Sequence, residues 1–297
     1  MKKDIEDKIL KELPANFDPI DTYAAIERFK IPKGLDPKKN VPLSIFLKQE
    51  ISQLQKILDI VRTMLQEMVK AIDGEVVMTP ELVIAIDSMF TQRVPGSWMY
   101  DATGVEISWI SPTLGSWLEG MRYRYRQLKT WVEKDRPQSF WLTGFMRPQG
   151  FLTAVKQEVT RQKSAEKWAL DEVDYYTTVL QTEIKTSDGS IGEKALKSVP
   201  DGVLIHGLYM EGAQWNTKLG CLEESEGKDL KTLYKDFPVL HVTAETTKEK
   251  EDNRQQKGGK ETREQLMKTC YLAPVYKYKA RTDKYLIFRI FLKADSG

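Results

Sequence analysis

Two cysteines and two histidines among 297 residues remove several chemistries at once. Cys221 and Cys270 make no disulfide framework, so reduced thiols and an intracellular setting are the expectation. With His206 and His241 they are the whole supply of soft metal ligands. A zinc site brings two such residues within a few positions of each other. These four lie far apart, on or beside strand candidates, and read as satisfied sheet residues; a Cys–His nucleophile pair stays open. Charge of one sign is scarce too. Lys and Arg total 45 against 43 Asp and Glu, a net of +2, so no global field points to nucleic acid or an anionic membrane. No apolar run approaches the roughly 20 residues of a membrane span. The start, Met1-Lys2-Lys3-Asp4-Ile5-Glu6-Asp7, is charged and carries no signal-peptide core. A phosphate loop is also missing. Gly258-Gly259-Lys260-Glu261-Thr262 has the look of its end, but lacks the leading glycine and has Glu261 where a hydroxyl would bind magnesium. No G-x-G-x-x-G follows a strand, and no internal repeat is visible.

What the sequence does have is a knot of large apolar residues at its middle. Phe140-Trp141-Leu142-Thr143-Gly144-Phe145-Met146 lies between Arg136-Pro137, which closes a helical segment, and Arg147-Pro148, which opens another. Large aromatics bury the most area per residue, so Phe140 and Trp141 are core candidates and the knot is expected to be the base on which two halves pack.

Before the knot the pattern is helical. Residues 1–40 read as a lead-in segment of two short helices and a Pro/Gly linker, too short to fold alone. Over 42–72, Leu43, Leu47, Leu54, Leu58, Val61, Leu65, Met68 and Ile72 recur at helical spacing. With Phe46, Ile51, Ile57, Met64 and Val69 they form a stripe roughly 140° wide, against a usual minimum of about 100°. Ile45 and Ile60 fall outside it and are candidates for contact with a partner. Thr79-Pro80-Glu81 opens the next helix, whose buried face is expected to be Leu82, Val83, Ile86, Met89 and Phe90. Ser111-Pro112 opens another, with Leu114, Trp117, Leu118, Met121, Tyr125, Leu128 and Trp131 inward; Trp117 and Trp131 are the core candidates. On its outer face Arg122, Arg126 and Lys129 alternate with aromatics. That is a solvated face or a protein-partner patch rather than a nucleic-acid surface. The helix from Pro148 runs to about Gln162, so 41–163 reads as a helical bundle.

After Lys163 the residues favour strands: Val173–Leu180, Val203–Met210, Pro238–Ala244, Cys270–Ala280 and Tyr285–Lys293, the last two bracketing a hairpin turn at Arg281–Lys284. Glu223-Glu224-Ser225-Glu226 reads as a solvated acidic turn, and Thr246–Lys260 as a polar loop. The fold class is therefore α+β: an N-terminal helical bundle, then an antiparallel, partly open β-barrel over 164–297.

Several stretches in order resemble one family. Val94-Pro95-Gly96-Ser97-Trp98, Leu114-Gly115-Ser116-Trp117 and Phe140-Trp141-Leu142-Thr143-Gly144-Phe145 are followed by Gly202-Val203-Leu204-Ile205-His206-Gly207-Leu208-Tyr209-Met210-Glu211-Gly212-Ala213-Gln214-Trp215. Then come Pro238-Val239-Leu240-His241-Val242, Ala273-Pro274-Val275-Tyr276-Lys277 and Arg281-Thr282. The series resembles the C-terminal end of dynein heavy chains over nearly the whole length, and its wording is most similar to axonemal, flagellar outer-arm chains. Ala273 stands where the family often has cysteine, and the insert after Ala244 is longer than usual.

The resemblance implies that 1–40 matches the tail of a sixth AAA+ module and the rest a C-terminal domain. It implies a non-catalytic regulatory and structural role in an ATP-driven microtubule motor, with Ile45, Ile60, Arg122 and Arg126 as candidates for the interface with the AAA+ ring. No cofactor is expected here, ATP and magnesium being bound elsewhere in such a motor. The implied partners are AAA+ modules of the same heavy chain; the microtubule is reached only through other parts, with no nucleic acid and no membrane. The implied location is the cytoplasm and cytoskeleton, in the axoneme of a cilium or flagellum. The alternative is a stand-alone enzyme or ligand-binding barrel with a pocket near His206 and His241.

Overall fold

The computed structural model describes Lys11, residues 41–133, 136–166, 168–180, Val199, 201–207, 213–216, Lys218, 221–224 and 239–246, and the strand segments 270–271, 274–276, 285–287 and 292–293. All but Lys11 of the lead-in segment, all but Thr246 of the polar loop, and the hairpin turn at 281–284 lie outside the described residues. The molecule divides into two compact units. Residues 47–136 belong to the first, and 41–46 with 137 onward to the second.

In the first unit, helix α1 (Pro42–Ile72) exists because of its stripe. Leu47, Ile51, Leu54, Ile57, Leu58, Val61, Leu65 and Met68 are all buried. It stops where Gly74 N donates to Ala71 O and Glu75 N to Lys70 O (2.9 Å), the paired bonds of a Schellman cap. Helix α2 (Pro80–Phe90) begins as its signals require: Thr79 Oγ1 accepts from Leu82 N at 3.3 Å and Pro80 fills the first position. Its buried face differs from expectation. Leu82, Ala85, Ile86 and Met89 are inside, while Val83 and Phe90 are exposed. The helix is apolar nearly all round, so hydrophobicity alone does not choose its inner side.

A single turn, α3 (Gly96–Met99), carries Trp98 inward. Helix α4 (Leu114–Glu133) starts two residues later than the Ser-Pro signal suggests. Thr113 Oγ1 accepts from Ser116 N (3.2 Å) and Ser116 Oγ from Thr113 N (3.3 Å), a reciprocal cap that outcompetes Pro112 as a start.

The second unit carries a four-stranded sheet built from β1 (Ser139–Trp141), β2 (Val173–Leu180), β3 (Val203–His206) and β6 (Val239–Thr246), in the order β1-β3-β6-β2. The aromatic knot, read from sequence as a packing base between two helices, contains a strand. β1 pairs in parallel with β3, Phe140 beside Ile205 and Trp141 beside His206. Parallel neighbours need a long crossover, and helix α5 (Pro148–Gln162) lies within it. The other pairings in this sheet are antiparallel, so it is mixed rather than wholly antiparallel. It is a sheet of four strands, not closed into a barrel. The supposed acidic turn is also partly strand: β4 (Ala213–Asn216) pairs with β5 (Cys221–Glu224), Ala213 opposite Glu224. β8 (Pro274–Tyr276) pairs antiparallel with β9 (Tyr285–Ile287), Tyr276 opposite Tyr285, and β7 (Cys270–Tyr271) with β10 (Leu292–Lys293).

The division between the compact units falls after Arg136. Helix α5 belongs with the sheet because its apolar face, Phe151, Leu152, Val155 and Val159, packs on β2 and β6. Four rings form the centre of this core. Phe46, Phe140, Phe145 and Phe151 meet at centroid distances of 4.8 to 6.1 Å in edge and tilted arrangements. A short 3-10 turn (Leu142–Gly144) after β1 lets Phe140 and Phe145 reach the same cluster.

Candidate functional site

The residues singled out by sequence fall into three places. Ile45 and Ile60 are exposed points on α1. Arg122 and Arg126 lie on the outer part of α4, where the cations already face aromatics of their own helix: Arg126 over Tyr123 at 5.3 Å, Lys129 over Tyr125 at 5.7 Å. Lys129 also pairs with Glu133 one turn on, at 3.6 Å. Trp117, Trp131 and Phe140 are buried. Trp141, expected in the core, is only half-buried. Its indole lies against two glycines. A Cβ on Gly207 would collide with Trp141 Cδ1, and one on Gly144 with Trp141 Cε3. Gly207 also has φ +74°, a conformation that L side chains avoid. Thr143 Oγ1 donates to Gly207 O at 3.0 Å and fixes this approach.

The polar centre that sequence reasoning missed is Arg124. Tyr125 was the expected inward residue of α4, but Arg124 is buried, at 5% exposure, and Tyr125 is half-buried. The guanidinium lies 4.0 Å from the Trp109 ring centroid, and Nη1 donates to Gly120 O at 3.0 Å. Trp109 stacks on Trp117 (4.8 Å, 13°), and Trp117 meets Trp98 at 5.3 Å. Trp98 Nε1 donates to Met64 Sδ and Trp117 Nε1 to Ser108 Oγ, both at 3.3 Å. A desolvated planar cation over an indole is the geometry that suits Arg rather than Lys. The signal was in the spacing: 117, 121, 124, 128 and 131 alternate by four and three.

The two histidines stand on one face of the sheet, since His241 pairs with Leu204, two positions before His206. His206 Nδ1 is 2.7 Å from Ser139 Oγ. Burial lowers its pKa to about 4, so the ring is neutral at pH 7. A general base works best with a pKa near the operating pH, so this imidazole is poorly suited to taking a proton from Ser139. His241 Nε2 is 2.8 Å from Asp201 O, and Asp201 Oδ1 is 4.0 Å away. Each imidazole is thus held by a group of its own unit. Among the described residues no group of three or more His, Cys, Asp or Glu has the arrangement to hold a metal ion, and no helix is long and apolar enough to cross a membrane.

These features define an α+β protein. The family model for the C-terminal domain of dynein heavy chains matches residues 1–296, and the protein belongs to that family. It is 34% identical over 290 residues to dynein axonemal heavy chain 8 of Mus musculus, covering 97% of this sequence and 5% of that one. Against the dynein gamma chain, flagellar outer arm, of Chlamydomonas reinhardtii it is 33% identical over 287 residues, covering 95% and 6%. Dynein axonemal heavy chain 5 of Mus musculus is 33% identical over 289 residues, covering 97% and 5%. The sequence therefore spans only 5–6% of the length of these relatives.

Proposed function

We propose that this protein is the non-catalytic, regulatory C-terminal domain of an ATP-driven microtubule motor of the axoneme, docked on AAA+ modules of the same heavy chain. The observation that carries the reading is the family match over residues 1–296. In this reading ATP and magnesium are bound elsewhere in the heavy chain, and the microtubule is contacted elsewhere too. The domain acts mechanically. Two units, each stiffened by close-packed aromatics, brace neighbouring modules and restrain their motion through the ATPase cycle. The strand pairs β4–β5, β8–β9 and β7–β10 extend the four-stranded sheet toward a partly open barrel. Residues 1–40 continue a preceding AAA+ module, and the domain proper starts near residue 41.

The test is single-molecule motility of the heavy chain with and without residues 41–297. A shift in force or run length on deletion supports a regulatory role. Unchanged motility overturns it. The enzyme alternative gains nothing from His206, whose low pKa and Ser139 partner suit a structural hydrogen bond.

A further inference from the structure

Helix α2 presents a second apolar face away from its buried one. Val83, Ile84 and Phe90 are exposed, the last two at 66% and 52%. At 100° per residue Val83, Asp87 and Phe90 form one strip and Ile84 flanks it. Val76, Val77 and Met78, which lead into the helix, are exposed as well, Val77 at 84%. Single exposed apolar residues are ordinary. Six large ones within residues 76–90 mark an interaction surface.

Two further features say what such a surface accepts. Its hydroxyls are already satisfied. Ser88 Oγ donates to Ile84 O at 2.8 Å, and Thr91 Oγ1 to Asp87 O at 2.9 Å. Covering them strips little hydration that the helix itself does not replace. Its charge is of one sign. Glu75, Glu81 and Asp87 are the charged residues of 75–91, with no Lys or Arg among them. With Asp87 set within the strip, Glu75 and Glu81 form its acidic margin, and such a strip is complementary to an apolar strip with a basic margin. The length fits as well: eleven residues of α2 extend about 16 Å, three turns of a facing helix.

We propose that the outer face of α2, with Val76–Met78, is a docking surface for an amphipathic helix with a Lys/Arg margin, supplied by another part of the same heavy chain. This rests on the reading of the protein as a docked module of a longer polypeptide. The relatives are long enough to supply such a helix, since this sequence spans 5–6% of them.

The test uses the full heavy chain with a benzophenone amino acid in place of Ile84, and a second version with it in place of Thr103 as a background control. Irradiation is expected to give an intramolecular cross-link from position 84 to one helix outside residues 41–297. That helix should carry Lys or Arg within a turn of the cross-linked apolar residue. Adding Glu75→Lys and Glu81→Lys should abolish the product by placing like charges at the margin. No cross-link above the control overturns the proposal. So does one to a second copy, to another polypeptide or to a segment without basic residues. Motility that changes on deletion of 41–297 with no cross-link from position 84 overturns this surface alone. The expected cross-link with motility unchanged supports the surface and overturns only the regulatory role.

Discussion

Arg124 lies over the Trp109 ring, its Cζ 4.0 Å from the centroid, and its Nη1 donates to Gly120 O at 3.0 Å. The pair ends a column that continues through Trp117 to Trp98. The indole face and a carbonyl help to replace water around this buried charge.

Arg124→Lys keeps the charge but loses the guanidinium over the indole. We expect it to destabilise the first unit by on the order of 1–2 kcal/mol, the value of a desolvated cation–indole contact. Arg124→Met removes both the charge and the Nη1 bond to Gly120 O, and its cost relative to Arg124→Lys separates the part due to charge from the part due to shape. Urea unfolding followed by tryptophan fluorescence checks both. Equal stability of wild type and Arg124→Lys would show that the contact contributes nothing specific to the guanidinium.

Protonation of His206 should weaken the second unit. Its pKa falls from 6.5 to about 4 on folding, so the unfolded chain binds the proton first as pH drops. The stability due to the neutral ring is fully present above pH 6.5 and lost between 6.5 and about 4. The loss amounts to about 3 kcal/mol, taking 1.36 kcal/mol per pKa unit. His206→Asn offers Ser139 a partner that does not titrate, and should flatten the pH dependence in that window. A profile identical to wild type would assign the acid sensitivity to other groups.

Gly207→Ala combines a left-handed backbone with a collision against Trp141. The expected cost is roughly 2–4 kcal/mol from strain and overpacking together. Trp141→Leu should relieve the collision but not the backbone strain. The two substitutions therefore should not add, with a coupling of about 1 kcal/mol or more in a double-mutant cycle of melting curves. Strict additivity would mean that the indole yields without cost.

Ile45→Asp with Ile60→Asp touches no buried position. The protein should stay folded, its unfolding free energy changed by less than about 1 kcal/mol. In the full heavy chain the same pair should shift motor output toward that of the domain-deleted form if these residues face an AAA+ module, because two charges would then be buried without partners. Unaltered motility would leave α2 as the better docking face.

Strong periodicity made α1 legible, because thirteen apolar positions at one spacing admit one reading. α2 was legible as a helix but not in orientation, since Val83 and Ile86 are equally apolar and only the neighbours choose between them. Arg124 was hidden by its own chemistry: charge predicts exposure, and the indole that compensates it lies fifteen residues earlier. β1 was invisible for a different reason. Three residues carry no usable alternation, and their partner strand begins 64 residues later, at Val203. The histidines read correctly as sheet residues, but nothing in the spacing connects His206 with Ser139.

The order of strands has a consequence for how the protein is made. β6 lies between β2 and β3 and pairs with both, yet it is the last of the four to be synthesised. Until Val239–Thr246 has left the ribosome, β2 and β3 each show a row of open backbone donors and acceptors. Nascent chains therefore pass through an interval of sticky, half-paired intermediates. A premature stop before residue 239 would make that interval permanent. Its product should be cleared or aggregate, and a stop just after 246 should be the earliest that leaves this sheet complete.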